Sequence, residues 1–264
     1  MLAGFSFVPA VSRAADAIEG TAAVEGIQMA YRISGEGDPL LLLHGFSASG
    51  NVWDAFVPEL AKAYRVIVPD LRGHGRSTNP SNVFTHRQSA RDVFALLDQL
   101  GIGKCKAMGI SSGGMTLLHM ATQQPDRIEA MVLIGATSYF PEQARAIMRR
   151  TTVQALTPAE YERLRRVHQH GDDQIRALRQ QFNGFKDSYD DMNFTAPYLS
   201  TIKARTLIIH GDRDEFFPVS IPVEMYRAIP NAALWIIPNG GHVPIHDPNV
   251  PFVASVERFL ARKQ

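Results

Sequence analysis

The sequence predicts an α/β fold built on a doubly wound, mostly parallel sheet with an inserted helical cap. Two observations lead to this prediction. Short apolar runs alternate with helical patterns along most of the chain, which is typical of a parallel sheet covered by helices on both faces. The alternation stops between residues 138 and 200 and then resumes, which indicates a helical insertion rather than a long loop.

The strands are predicted from short apolar runs bounded by turn residues. Residues 40–43 are four consecutive leucines, which is typical of a strand buried on both faces of a parallel sheet. Residues 24–33 alternate loosely between apolar and polar side chains, which favours an edge strand or a hairpin. Further strands are predicted at residues 65–69, 105–108, 130–134, 205–209 and 233–237. Helices are predicted at residues 51–64, 85–100, 115–121, 141–154, 158–182, 222–228 and 250–262.

Length and composition are consistent with this division. The chain has 264 residues, of which 45% are hydrophobic, enough for one large core or for a core with a small insertion. We assign residues 18–137 and 201–264 to the core and residues 138–200 to the cap. The net charge is +1 and the charged residues are spread throughout, so nothing indicates nucleic acid or an anionic membrane as a partner. No apolar run reaches the roughly 18 residues of a membrane span.

Residues 1–17 are left out of the predicted fold, and two interpretations of them stay open. Residues 2–14 are apolar and end in Ser12-Arg13-Ala14, which is similar to the last part and the cleavage site of a secretory signal peptide. The basic region that opens such a signal is missing. We expect a periplasmic or secreted protein if this segment is the remnant of a signal, and a cytoplasmic protein if it is an ordinary terminus.

The most informative motif is Gly-x-Ser-x-Gly at residues 109–113, between a predicted strand and a predicted helix. In that context a serine sits on a tight turn with its hydroxyl lifted clear of the backbone, so Ser111 is a candidate nucleophile. A Cβ atom at Gly109 or Gly113 would collide with the neighbouring strand or helix. Ser111 also lies at a helix N-terminus, where free N–H groups favour developing negative charge.

A serine hydroxyl needs a base, and the base needs a third group that fixes its tautomer. Active sites of doubly wound sheets form at the carboxyl ends of the strands, where His242 and the turn at residues 211–214 are predicted to lie. Ser111, Asp214 and His242 follow in the chain order expected when the nucleophile stands on such a turn. Asp212 is an alternative acid in the same turn, and Asp70 is a further alternative that we expect to hold its own loop.

Together these motifs resemble the α/β-hydrolase fold family. The resemblance spans residues 24–264 and rests on five segments in the family's order, at residues 44–46, 70–77, 109–113, 211–214 and 241–242. It implies that Ser111 is the nucleophile, His242 the general base and then acid, and Asp214 its orienting acid. It also implies that the backbone N–H groups of Phe46 and Ser112 form the oxyanion hole. Two positions depart from the family's usual pattern: Ile110 stands where His is common, and Ser112 where Met or Gln is common.

The function expected from this resemblance is a serine hydrolase that cleaves a carboxylic ester of a small or medium apolar substrate. Lactonase, C–C bond hydrolase and cofactor-free perhydrolase remain alternatives with the same three residues, and a receptor-like member with little turnover is an alternative of another class. No cofactor or metal is implied, and Cys105, the only cysteine, excludes an intrachain disulfide. We expect a small-molecule substrate and a monomer or homodimer. Several aromatic residues are available to line a pocket: Phe46, Trp53, Phe140, Phe182, Phe185, Phe216 and Phe217.

Overall fold

The computed structural model describes residues 17–262, and the possible signal segment at residues 2–14 lies outside them. The strands are β1 Ile18–Val24, β2 Ile27–Ser34, β3 Asp38–Leu43, β4 Tyr64–Pro69, β5 Cys105–Ile110, β6 Ile128–Ile134, β7 Arg205–Gly211 and β8 Ala232–Ile237. The α-helices are α1 Val57–Leu60, α2 His86–Gln99, α3 Ser112–Gln123, α4 Glu142–Arg150, α5 Pro158–Val167, α6 Gly171–Gly184, α7 Ala196–Leu199, α8 Ser220–Ala228 and α9 Phe252–Leu260. Single 3₁₀ turns occupy Gly50–Trp53, Phe185–Asp187 and Pro244–His246.

The eight strands form one sheet in the order β1-β2-β4-β3-β5-β6-β7-β8. β1 and β2 form an antiparallel hairpin and β2 pairs antiparallel with β4, whereas the pairs from β4 to β8 are all parallel. The central strand β3 lies between β4 and β5, with Leu41 opposite both Ile67 and Ala107. This arrangement confirms the predicted fold class, and it puts the carboxyl ends of β3, β5, β6, β7 and β8 at one edge of the sheet.

The apolar core lies on both faces of the sheet because successive strand residues point to opposite sides. In β3, Leu41 and Leu43 pack into the cluster beneath α2 and α3, while Leu40 and Leu42 pack into the cluster on the other face, beneath α9. All four leucines have no exposed surface. The continuous leucine run therefore has the double-sided burial that the sequence predicted.

Two helix predictions were wrong, because each predicted helix is interrupted in the structure. The helix predicted at residues 51–64 is divided into the 3₁₀ turn Gly50–Trp53 and the short helix α1, and Tyr64 already belongs to β4. Pro58 lies in the first turn of α1, where its missing N–H is tolerated, whereas within one long helix it would remove a hydrogen bond.

The helix predicted at residues 158–182 is also interrupted, since α5 ends at Val167 and α6 begins at Gly171. His168 is extended at the break, and its Nδ1 accepts the N–H of Gly75 from another loop at 3.0 Å. Gly171 has a φ of +77°, which favours glycine. The helix predicted at residues 141–154 ends earlier, at Arg150.

The segment between β6 and β7 carries helices α4 to α7. Its described β contact is one isolated antiparallel bridge, between Tyr139 and Asn193. Helix α4 packs against α6 and against the 3₁₀ turn Phe185–Asp187. These helices form the insertion in the sheet that the sequence predicted. Within residues 17–262, no helix is both long enough and apolar enough to cross a membrane.

Candidate active site

Ser111 occupies a tight turn between β5 and α3. Its φ of +49° and ψ of −115° lie in a region that non-glycine residues rarely adopt. The turn depends on its two glycines. A Cβ at Gly109 would lie 2.5 Å from the carbonyl carbon of Gly113, and a Cβ at Gly113 would lie 2.4 Å from the carbonyl oxygen of Leu43. The Ser111 N–H donates to the carbonyl of Ile134 at 2.7 Å, which ties the turn to β6.

Ser111, His242 and Asp214 form one continuous hydrogen-bonded chain. The Oγ of Ser111 lies 3.0 Å from Nε2 of His242, and Nδ1 of His242 lies 2.8 Å from Oδ2 of Asp214. The other carboxylate oxygen, Oδ1, accepts the N–H groups of Phe216 at 2.8 Å and Phe217 at 3.1 Å. An ionised carboxylate only accepts hydrogen bonds, so Nδ1 of His242 carries the proton and donates. Nε2 is then free to accept the Ser111 hydroxyl proton.

Two glycines allow the loops that carry the acid and the base to approach the sheet. Gly135 follows β6 with a φ of +54°, and a Cβ there would lie 2.3 Å from the carbonyl oxygen of His242. A Cβ on Gly211, at the end of β7, would lie 2.2 Å from the carbonyl oxygen of Gly240. The His242 loop is therefore seated directly on the ends of β6 and β7.

The structure distinguishes the acids that the sequence left open. Asp214 reaches His242 and has no exposed side-chain surface. Within residues 17–262 the Oδ1 of Asp212 has no hydrogen-bond partner, and it lies 3.9 Å from Nε of Arg213. Asp70 accepts the N–H groups of Gly50 at 2.8 Å and Arg76 at 3.0 Å, so it holds its own loop as expected.

A cavity of about 400 Å³ opens beside Ser111 and His242. Phe46 and Ser112, whose backbone N–H groups were expected to form the oxyanion hole, both line it. The inserted segment supplies much of the remaining wall: Phe140, Ile147, Met148, Thr151, Arg179, Phe182 and Phe185. Phe216 and Phe217 complete the aromatic lining, so six of the seven aromatic candidates lie here. Trp53 does not line the cavity, because it is fully buried in the core cluster that contains Leu40 and Leu42.

Comparison with known proteins settles the family. Residues 38–169 match the profile of the α/β hydrolase fold. The chain belongs to the α/β hydrolase family. It is 29% identical to a 2-hydroxymuconate semialdehyde hydrolase from Pseudomonas putida, over 86% of this chain and 88% of that protein. It is 28% identical to a human serine hydrolase, over 89% of this chain and 83% of that protein.

Solved structures agree with this assignment. An enol-lactonase from Burkholderia xenovorans superposes with a TM-score of 0.76 and 28% identity, covering 92% of this chain and 100% of that one. A meta-cleavage product hydrolase from Pseudomonas fluorescens superposes with a TM-score of 0.73 and 25% identity, covering 91% of this chain and 97% of that one. Three of these four relatives are named as hydrolases and the fourth as an enol-lactonase, and this α/β hydrolase is an enzyme of the general hydrolase class.

Sequence reasoning missed a residue behind the acid of this α/β hydrolase. His210, in β7, donates from Nε2 to the carbonyl of Phe217 at 2.9 Å and lies 3.7 Å from Oδ2 of Asp214. Burial lowers the pKa of His210, although the charge of Asp214 acts to raise it. A neutral His210 therefore braces the turn whose N–H groups bind Asp214. Its position just before the turn at residues 211–214 could have revealed it.

A second group was missed because its members are far apart in sequence. His86, Ser112 and Asp191 are joined by hydrogen bonds, and Asp191 lies 105 residues beyond His86. No local pattern marks Asp191. The unusual Ser112, next to the candidate nucleophile, was the available signal.

Neither metal nor thiol chemistry has an evident site in the described part of this α/β hydrolase. Residues 17–262 contain no group of three or more His, Cys, Asp or Glu side chains placed to hold a metal ion. Cys105 is buried in the core, and that burial raises the pKa of its thiol to about 12. At neutral pH it is a protonated thiol, which is a poor nucleophile.

Proposed function

We propose that this protein is a serine hydrolase that cleaves a carboxylic ester of a small or medium apolar substrate through an acyl-enzyme on Ser111. The observation that carries the proposal is the hydrogen-bonded chain from Ser111 through His242 to Asp214, opening on an apolar cavity. Nucleophile, base and orienting acid in this geometry form the arrangement that activates a serine hydroxyl.

In the proposed acylation step, Ser111 Oγ attacks the ester carbonyl while His242 Nε2 accepts the hydroxyl proton. The resulting tetrahedral oxyanion collapses, the C–O bond to the leaving group breaks, and His242 returns its proton to the departing alkoxide. In deacylation, His242 takes a proton from water, the hydroxide attacks the acyl carbon, and the proton returns to Ser111. Asp214 keeps the proton on Nδ1 throughout and stabilises the transient imidazolium.

We assign the oxyanion hole to the backbone N–H groups of Phe46 and Ser112. Both residues line the cavity beside Ser111, one following β3 and the other opening α3. A helix N-terminus adds the positive end of its dipole at this point. Hydrogen-bond donors fixed before the reaction stabilise the charge that develops on the carbonyl oxygen.

The walls of the cavity favour an uncharged acyl group. Aromatic and aliphatic side chains dominate them, and the Arg179 guanidinium is paired with Glu160 at 3.0 Å.

We further propose that residues 138–200 act as a cap that selects the substrate. Met148→Ala would shorten a side chain of the cavity wall and so enlarge the cavity. The variant should therefore shift the preference among esters toward longer acyl chains. Phosphonylation of Ser111 by a small fluorophosphonate should keep its rate. An equal loss with small and large probes would contradict the cap assignment.

A second candidate is lactone hydrolysis, or cleavage of a C–C bond, on the same three residues. It is favoured by the 28% identity to the Burkholderia xenovorans enol-lactonase and the 29% identity to the Pseudomonas putida 2-hydroxymuconate semialdehyde hydrolase. A panel of p-nitrophenyl esters, lactones and vinylogous diketones compared by kcat/KM separates these candidates. Higher kcat/KM for lactones or diketones than for every ester would replace the ester assignment.

Ser111→Ala tests the proposal itself. The variant should fold and should lose about three or more orders of magnitude in ester hydrolysis. A fluorophosphonate should label the wild type at Ser111 and should not label the variant, whereas the exposed control Ser81→Ala should react like the wild type. A burst of p-nitrophenol followed by slow turnover would favour a receptor-like protein. Labelling at another residue with full activity would contradict the nucleophile assignment.

A further inference from the structure

The residue that follows the proposed nucleophile belongs to a second hydrogen-bonded Ser-His-Asp set. The Oγ of Ser112 lies 3.0 Å from Nε2 of His86, and Nδ1 of His86 lies 2.6 Å from Oδ2 of Asp191. The Ser–His distance is the same as in the first set, the His–Asp distance is 2.6 Å against 2.8 Å, and the two serines are adjacent in the chain. Ser112 stands where the family commonly has a residue without a hydroxyl or carboxylate, so the common role of that position does not require this hydroxyl.

The direction of the hydrogen bonds follows from the surroundings of Asp191. Its Oδ2 also accepts the N–H of His86 at 2.8 Å, and its Oδ1 accepts the N–H of Arg87 at 3.1 Å. Burial raises the pKa of Asp191, but the charge of His86 and these donors outweigh it and hold the pKa well below its usual range. Asp191 is therefore an ionised acceptor, and Nδ1 of His86 donates to it. Nε2 of His86 is left to bind the Ser112 hydroxyl, at 3.0 Å.

The second set differs from the first in its access to the cavity. His86 is fully buried, with its ring packed near Phe84, Phe140 and Phe185 at centroid distances of 5.3, 6.0 and 5.2 Å. Phe140 and Phe185 themselves line the cavity, whereas His86 does not. A substrate in the cavity meets Ser112 without meeting the imidazole behind it. The hydrogen bond from His86 therefore reaches the reacting groups through the serine.

Asp191 also connects three parts of the fold at this point. It lies in the segment between β6 and β7, it binds the N-terminal N–H groups of α2, and its own carbonyl accepts Nε2–H of His119 on α3 at 2.6 Å. Helix α3 is the helix that Ser112 opens. The inserted segment is thus tied by hydrogen bonds to the helix that carries one of the proposed oxyanion donors.

We propose that Asp191 and His86 are positioning residues that hold the Ser112 hydroxyl and, through it, the Ser112 backbone N–H that faces the reacting oxygen. This inference rests on the proposed function, in which Ser111 is the nucleophile and Ser112 N–H is an oxyanion donor. Ser111 has a φ of +49°, so the peptide that joins the two serines is held in a sparsely populated conformation. A side-chain hydrogen bond on the following residue restricts the rotation by which that peptide would relax.

A donor that is fixed in advance acts on the transition state, where the negative charge exists, more than on the bound substrate. The positioning set should therefore affect kcat and leave KM nearly unchanged. One neutral hydrogen bond contributes roughly two- to ten-fold in an equilibrium, and removal of a whole oxyanion donor costs about 10²- to 10³-fold in turnover. We expect loosening of the donor to lower kcat about ten-fold.

Ser112→Ala is the decisive variant because it keeps the backbone N–H and removes only the hydroxyl. With a p-nitrophenyl ester, kcat should fall about ten-fold with KM within about two-fold of the wild type. The affinity for a trifluoromethyl ketone, whose adduct places an oxyanion in the hole, should fall by the same factor as kcat/KM. Asp191→Asn should lower kcat in the wild-type background and should cause no further loss in the Ser112→Ala background. A merely structural role for Asp191 would lower activity in both backgrounds.

Ser89→Ala is the matched control, since Ser89 is a buried serine on α2 whose hydroxyl has no hydrogen-bond partner within residues 17–262. It should keep the wild-type kcat. Fluorophosphonate labelling of Ser111 separates a failure of the proposed function from a failure of the positioning role. Absence of labelling in the wild type would overturn the proposed function. Labelling of Ser111 combined with an unchanged kcat in Ser112→Ala, or with a loss confined to KM, would overturn the positioning role alone. If Asp191→Asn fails to fold, the Ser112→Ala kinetics still decide.

Discussion

Replacing Asp214 by asparagine is the most informative perturbation of the proposed triad, because it removes the charge and replaces one acceptor oxygen by an NH₂ donor while leaving the shape. The carboxylate accepts three hydrogen bonds: two from the backbone N–H groups of Phe216 and Phe217 on Oδ1, and one from His242 on Oδ2. An asparagine has one oxygen. If that oxygen stays with the two backbone donors, the amide NH₂ group faces Nδ1 of His242.

An imidazole that meets a donor at Nδ1 must accept there, so its proton moves to Nε2. Nε2–H cannot take the Ser111 proton. His242 therefore no longer acts as the base, although its ring and Ser111 stay in position. The opposite orientation of the amide would set the NH₂ group against two N–H donors in a site with no exposed carboxylate surface, which is more costly. We therefore expect Asp214→Asn to lower kcat/KM by roughly 10⁴-fold.

The assay is ester hydrolysis by the purified variant, with the melting temperature as a check on folding. Asp212→Asn is the matched control in the same turn, because within residues 17–262 the Oδ1 of Asp212 has no hydrogen-bond partner. It should cost less than about ten-fold. The reverse order of the two losses would refute the assignment of the acid, and equal losses would show that the turn acts as a whole rather than through one carboxylate.

Two further predictions concern stability. Asp92→Ala should lower the free energy of unfolding by about 3–5 kcal/mol, because it leaves Arg72 buried without the carboxylate that it binds at 2.6 and 2.7 Å. By calorimetry that corresponds to a Tm about 6–20 °C lower, whereas the exposed Asp126→Ala should leave Tm nearly unchanged, and a comparable fall in both would contradict the argument. Burial lowers the pKa of His168 to about 4, below its unfolded value of 6.5, so the unfolded chain binds the proton more readily between these values. Stability should therefore fall as the pH is lowered from 6.5 toward 4, and His168→Gln should reduce the slope by about 1.4 kcal/mol per pH unit in urea titrations. The exposed His170→Gln is the control, and an unchanged slope in His168→Gln would exclude His168 as the source.

The sequence predicted those features of the molecule that leave a pattern in a short stretch of the chain. Leu40–Leu43 makes a buried central strand because every side chain is apolar and both faces of the sheet are covered. The nucleophile turn was predictable because no side chain fits at Gly109 or Gly113, which leaves a rigid pattern in the sequence. The insertion was visible as the absence of strand patterns between residues 138 and 200.

The features that depend on tertiary contacts were not predictable. Residues 158–182 have helical periodicity throughout, yet His168 leaves the helix to bind the N–H of Gly75, 93 residues away. Asp212 and Asp214 have the same side chain and share Arg213 as a neighbour, so the residues alone left both open; the resemblance favoured Asp214, whose Oδ2 lies 2.8 Å from Nδ1 of His242. The link from His86 to Asp191 joins two residues that no short motif connects.

The backbone N–H of Phe46 is the proposed catalytic group that is hardest to see in a sequence, because any residue but proline supplies it. The ring of Phe46 has a separate role, since it packs edge-on against Phe84 and Phe185 with centroids 5.1 Å away in each case. Phe46→Ala keeps the N–H and removes the ring, so it should weaken binding of apolar esters and lower Tm while kcat changes little.

Phe46→Pro removes the N–H, and kcat should fall by about 10²- to 10³-fold. Because proline also restricts the backbone of the loop, the comparison is made on protein that folds and whose Ser111 still reacts with a fluorophosphonate. The affinity for a trifluoromethyl ketone should fall with kcat in the proline variant and should change far less in the alanine variant. Equal losses of kcat from alanine and proline, with the fold intact, would show that the ring matters and that the N–H of Phe46 does not bind the oxyanion.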